Sequence, residues 1–138
     1  MIGQYQHNID AKGRLFIPAK LREELGVTFY LAMGVDACLA IYPQAAWDRF
    51  REKFESLPMS QSKAMRPLFA NAVKCEPDSQ GRIVVTQKLR KYAGLEKDVV
   101  IIGVNDRAEI WSADAWNAQE EEEMTPEKMA ACMAELGF

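Results

Sequence analysis

GRLFIPAKLREELG (Gly13–Gly26) and GRIVVTQKLRKYAG (Gly81–Gly94) are two versions of one sentence: a turn glycine, an arginine, a short apolar run, a helix-length segment and a closing glycine. Shifted by 68 residues, Asp10 falls on Asp78, Gly13 on Gly81, Arg14 on Arg82, Lys20 on Lys88, Leu21 on Leu89, Arg22 on Arg90 and Gly26 on Gly94. Leu15, Phe16 and Ile17 lie over Ile83, Val84 and Val85, apolar on apolar. After one inserted residue the shift becomes 69, and Gly34, Val35, Ile41, Ala46 and Trp47 meet Gly103, Val104, Ile110, Ala115 and Trp116. Identity spread over turns, core positions and charges together is the signature of a tandem duplication.

Each copy has a direct physical reading. DAKGR and DSQGR place Asp10 and Asp78 where a carboxylate bonds the backbone amides of a tight turn, and Gly13 and Gly81 where a positive φ is needed. Leu15–Ile17 and Ile83–Val85 are short continuous apolar runs, which predicts strands buried on both faces. Pro18 and Thr86 open helices, one by its preset φ and the other as a capping residue, and Gly26 and Gly94 close them. Leu21 with Leu25, and Leu89 with Ala93, face inward at i and i+4. FYLAMG and VVIIGV then read as second strands, and CLAIYP and AEIWSA as third.

A β-α-β-β unit is marginal alone, so the two copies are expected to interleave into one pseudo-symmetric closed barrel of an α+β, mainly β fold with flanking helices. Residues 1–47 form the first repeat, 48–74 a helical connector, 75–116 the second repeat, and 117–138 an acidic stretch and helix. Trp47, Phe50, Phe54 and Leu57 make an amphipathic stripe, and Met65, Leu68, Phe69 and Ala72 make another in which Pro67 kinks the helix or marks its first turn. Thr125-Pro126-Glu127 signals a terminal helix with Met129, Met133 and Leu136 on one face, and Glu120–Glu123 reads as a solvated helix end.

The net charge is −3, but its distribution is uneven. The windows 10–26 and 78–94 carry a net +4, leaving −7 for the rest of the chain. The duplicated element is the basic part of an acidic protein. No apolar run reaches the roughly 18 residues of a membrane span, and MIGQYQHNID lacks a secretory layout, so the chain reads as cytoplasmic. Cys38, Cys75 and Cys132 lack disulfide or zinc spacing and are expected as small buried hydrophobes. The lone His7 stands without a nucleophile, phosphate loop or carboxylate pair, so no enzyme, cofactor or metal site is expected.

Arg14 and Arg82 follow the turn glycines and precede strands, which predicts their emergence at one edge with the helix bases. An Asp10–Arg14 or Asp78–Arg82 ion pair would fix the turn, and the paired guanidinium would keep donors free for a phosphate or a guanine edge. DAKGRLFIPAKLR and DSQGRIVVTQKLR resemble the swapped-hairpin motifs of the AbrB-like superfamily, and their tandem arrangement is similar to the MraZ family, over residues 1 to about 117. The resemblance implies a DNA-binding transcriptional regulator that assembles as a homo-oligomeric ring and recognises short direct repeats in the promoter of its own division and cell-wall operon, as a repressor associated with the nucleoid. It carries DNA contact to Arg14, Arg82, Arg22 and Arg90, with Lys12, Lys20 and Lys88 as further bases and Asp10, Gly13, Asp78 and Gly81 structuring the turns. Gln80 in place of Lys12, and Thr86 in place of Pro18, single out the first copy as the principal reader. The alternative is an AbrB-like protein-interaction module, antitoxin-like or scaffold, with incidental basic loops.

Overall fold

A computed structural model describes residues 1–138. The first half runs β1 (Gln4–Asn8), β2 (Arg14–Phe16), α1 (Ala19–Leu25), β3 (Phe29–Met33), β4 (Leu39–Pro43) and α2 (Gln44–Glu55). Short helices α3 (Met59–Ser62) and α4 (Arg66–Asn71), joined by a 3-10 turn, lead into the second half. That half repeats the order: β5 (Val73–Cys75), β6 (Arg82–Val84), α5 (Gln87–Tyr92), β7 (Asp98–Val104), β8 (Arg107–Ser112) and α6 (Ala113–Glu123), followed by α7 (Pro126–Glu135).

The halves exchange strands. One antiparallel sheet has the order β1-β7-β8-β4-β3-β5, so the opening strand of each half pairs with the other half's hairpin: β1 on β7 and β5 on β3. The central β4·β8 pairing joins the two hairpins. The remaining strands form a separate two-stranded ribbon, β2·β6, with Leu15 opposite Ile83. The copies therefore interleave, but the expected closed barrel is not found. The first turn bonds Asp10 N–H to Arg14 C=O and Gly13 N–H to Asp10 C=O, and beyond it β1 pairs with β7 and β2 with β6 instead of with each other. In the same way β5 pairs with β3 and β6 with β2, which leaves an open sheet whose edges are β1 and β5.

One core of 20 buried residues lies between ribbon, sheet, α1 and α5, with Leu15, Ile17, Leu21, Phe29, Val85 and Leu89 at or near zero exposure. The apolar runs that open each copy are not buried on both faces as expected. Leu15 and Ile83 point inward, whereas Phe16 is half-buried and Val84 is 56% exposed, because a ribbon covered on one side only must alternate. On the other face of the sheet, Trp47 of α2 stacks on Tyr30 at 4.9 Å and meets Phe69 of α4, while Trp111 and Trp116 pair under α6 at 5.4 Å.

Pro18 precedes α1 as its N-cap instead of sitting in its first turn, while the other start signals act as read. Thr86 Oγ1 accepts from the Leu89 amide, Thr125 Oγ1 from that of Lys128, and Pro67 sits in the first turn of α4. Cys38 and Cys75 are buried, but Cys132 is exposed, contrary to expectation, because α7 stands off the body. No helix is long and apolar enough to cross a membrane.

Candidate nucleic-acid interface

The two turns are built alike, atom for atom. Asp10 Oδ1 accepts from the amides of Lys12 and Arg14, both at 2.9 Å, and Oδ2 accepts from Arg14 Nε at 2.6 Å. Asp78 Oδ1 accepts from the amides of Gln80 and Arg82 at 2.9 Å, and Oδ2 from Arg82 Nε at 3.0 Å. The bond from the Arg14 amide, helped by the Arg14 guanidinium and the Lys12 amide, holds the Asp10 carboxyl below its usual range against the opposing effect of desolvation. Asp78 is lowered in the same way by Arg82 and Gln80. Gly13 and Gly81 close the turns at φ of 80° and 81°, where a side chain would be strained.

The ribbon register decides where the arginines go. Arg14 lies opposite Val84, and Phe16 opposite Arg82. Cross-strand partners share a face, so Arg14, Phe16, Arg82 and Val84 all point outward while Leu15 and Ile83 point into the core. Arg14 and Arg82 sit on the diagonal of this face, with backbones roughly 7–8 Å apart. Each spends Nε on its aspartate; their Nη groups have no partner in the chain, and the side chains are 34% and 27% exposed. Beside them opens a cleft of about 280 Å³ lined by Arg14, Arg82, Lys74, Glu76 and Asp78.

The other basic residues divide into two kinds. Lys12, Lys20 and Lys88 are exposed, around the ribbon on turn 1, α1 and α5. Arg22 and Arg90 are half-buried. Arg22 Nε donates to the Ile17 carbonyl at 2.8 Å, and its guanidinium lies over the Phe16 ring at 5.3 Å. The same guanidinium rests on Gly81, where a Cβ would come within 2.8 Å of Cζ. Arg90 meets Gly13 in turn, with Cζ 3.4 Å from the place a Cβ would take. The structure thus brings Arg14, Arg82, Asp10, Asp78, Gly13, Gly81, Arg22 and Arg90 into one cluster, with the three lysines around it. Sequence reasoning missed Phe16, Val84 and Lys74, whose placement follows from cross-copy pairing and not from any local motif.

Fold and site define an α+β protein of two matching halves that share one sheet and present paired aspartate-held arginines on a β-ribbon. The family model described as "MraZ protein, putative antitoxin-like" matches the chain over residues 1–66 and 68–135. A transcriptional regulator MraZ of Heliobacterium modesticaldum is 50% identical over 123 residues, covering 87% of this chain and 86% of its own length. The transcriptional regulator MraZ of Pelotomaculum thermopropionicum is 51% identical over 118 residues (83% and 81%), and that of Halothermothrix orenii 44% identical over 141 residues (99% of both). The chain belongs to the MraZ family, and its relatives' names support a role in transcription regulation.

Proposed function

We propose that this chain is a sequence-specific, double-stranded DNA-binding regulator with two tandem AbrB-like motifs, which enters the major groove with the outward face of the β2·β6 ribbon. The observation that carries this reading is the pairing of Arg14 and Arg82 on that face with their Nη groups unspent. The major groove admits a two-stranded ribbon, and an arginine fork matches the O6 and N7 acceptors of guanine. An aspartate on Nε fixes the fork's direction before DNA arrives, so less side-chain entropy is lost on binding. Lys12, Lys20 and Lys88 serve the neighbouring phosphates, which set affinity and its salt dependence.

A single ribbon offers few contacts. Several copies assembled in a ring raise the effective concentration of each ribbon at adjacent DNA repeats, which fits recognition of short direct repeats upstream of the chain's own division and cell-wall operon, repression of that operon, and residence at the nucleoid in the cytoplasm. Replacing Arg14 by Ala is expected to weaken binding to a duplex carrying those repeats by about tenfold or more at fixed salt, with the melting temperature lowered by no more than a few degrees through loss of the Asp10 pair. Unaltered affinity would remove Arg14 from the reading face.

The family description favours a second reading, an antitoxin-like protein-interaction module. It predicts a protein partner that co-purifies stoichiometrically, and no salt-dependent shift of duplex DNA.

A further inference from the structure

We infer that Arg22 and Arg90 are crossed positioning residues: each packs its guanidinium on the turn glycine of the opposite copy and so sets the arginine that follows it, Arg22 acting on Arg82 and Arg90 on Arg14. In the sequence Arg22 belongs to the same copy as Arg14, and Arg90 to the same copy as Arg82; the packing pairs them the other way.

Three observations converge on the crossing. The contact is reciprocal, Arg22 against Gly81 and Arg90 against Gly13, and closer at Gly81. The backbone repeats the exchange, with the Ile17 amide donating to the Gly81 carbonyl at 2.9 Å and the Val85 amide donating to the Gly13 carbonyl at 2.8 Å. Arg22 is also anchored from its own side by the Ile17 carbonyl and the Phe16 ring, so it can hold the opposite turn without depending on it.

The turns need such support. Asp78, Ser79 and Gln80 are exposed, and the bonds of Asp78 all close within the turn. Those bonds tie the turn to Arg82 at the start of β6, and the Ile17–Gly81 bond ties it to the other copy through the backbone alone. The guanidinium adds a side-chain constraint from the other copy; at Gly81 it lies so close that a Cβ would meet Arg22 Cζ at 2.8 Å, whereas at Gly13 a Cβ would first meet the Val85 carbonyl oxygen at 2.9 Å. Lysine cannot replace the guanidinium, since an ammonium presents no plane.

The inference takes its DNA readout from the function proposed above, and its test separates the two. Affinity of the full-length protein for a duplex carrying the upstream repeats is measured across a salt series for the wild type, R14A, R82A, R22A, R22K and the doubles R22A/R82A and R22A/R14A. R22A is expected to weaken binding by about tenfold with an unchanged salt slope, because no phosphate contact is lost. R22K is expected to weaken it equally. The R22A/R82A double should bind no worse than R82A, whereas R22A/R14A should multiply the two losses. R90A should give the mirror pattern, coupled to Arg14.

A salt slope smaller by about one charge, rescue by R22K, or a multiplicative R22A/R82A double would make Arg22 a direct DNA contact and overturn the inference. Amide exchange over residues 79–82 in free R22K, which keeps charge and length, is expected to exceed that of the wild type while residues 11–14 stay unchanged. Unchanged exchange at 79–82 overturns the inference even where no duplex binds. Failure of the wild-type protein to bind DNA removes the DNA reading and leaves the exchange test standing.

Discussion

Phe16 and Val84 occupy equivalent places in the two copies and serve their helix arginines differently. The Phe16 ring lies 5.3 Å from the Arg22 guanidinium, whereas Val84 offers no ring and Arg90 Nε is buried without a partner. Val84→Phe is therefore expected to place an aromatic face where Arg90 lacks one. The position is 56% exposed, so the added volume has room. A cation–π contact of about 0.5–1 kcal/mol should appear as a rise of a few degrees at most in the thermal midpoint. His7 also meets Phe16, with ring centroids 5.3 Å apart, and burial lowers its pKa below the ordinary 6.5. Below that value the unfolded chain binds more protons than the folded one. Stability is thus expected to be full above pH 6.5 and to fall as pH drops through 6.5 toward the lowered folded pKa. His7→Gln should flatten that part of a pH series of unfolding midpoints.

At the scale of the element, the ribbon is the joint between the halves. Leu15 and Ile83 face each other across it and are 0% and 4% exposed. Leu15→Ala is expected to cost about 2–5 kcal/mol. Because β1 and β5 are also exchanged between halves, urea unfolding of this variant should remain one transition; two transitions would mean that the halves melt separately. Where signals were local, the sequence was informative: Asp-x-x-Gly-Arg specified both turns, and the hairpins β3–β4 and β7–β8 followed from their apolar runs. QYQHN and VKC were illegible as β1 and β5, the first because polar residues fill an edge strand buried on alternate positions only, the second because three residues carry no period. The open sheet was equally hidden. The edges stay open because β1, β2, β5 and β6 take their partners from the other copy, and those pairings are recorded in no local motif. In the same way the aspartate-held arginines could be read from spacing, whereas the glycine each helix arginine meets depends on how two copies pack.

Over the whole molecule, charge and exposure separate the body from its end. The basic windows net +4 against −7 elsewhere, a partition that disfavours phosphate everywhere except around the ribbon. From Met124 to Phe138 every residue but Thr125 is exposed, including Met129, Met133 and Leu136 on the apolar face of α7. This helix adds nothing to the core, and the cysteines offer a way to measure that. Burial pushes the Cys38 thiol up to about 12, helped by the Glu109 and Asp36 charges, and pushes the Cys75 thiol to about 11. At neutral pH both are thiols inside the body and lack the thiolate that alkylation requires. Cys132 lies in the open on α7. Brief treatment of the native protein with iodoacetamide, read by intact mass, is therefore expected to add one label at Cys132, and treatment in denaturant to add three. Deleting residues 125–138 should abolish the native label and leave the thermal midpoint unchanged. Fast labelling of Cys38 or Cys75 in that shortened chain would mean that the terminal helix protects the core after all.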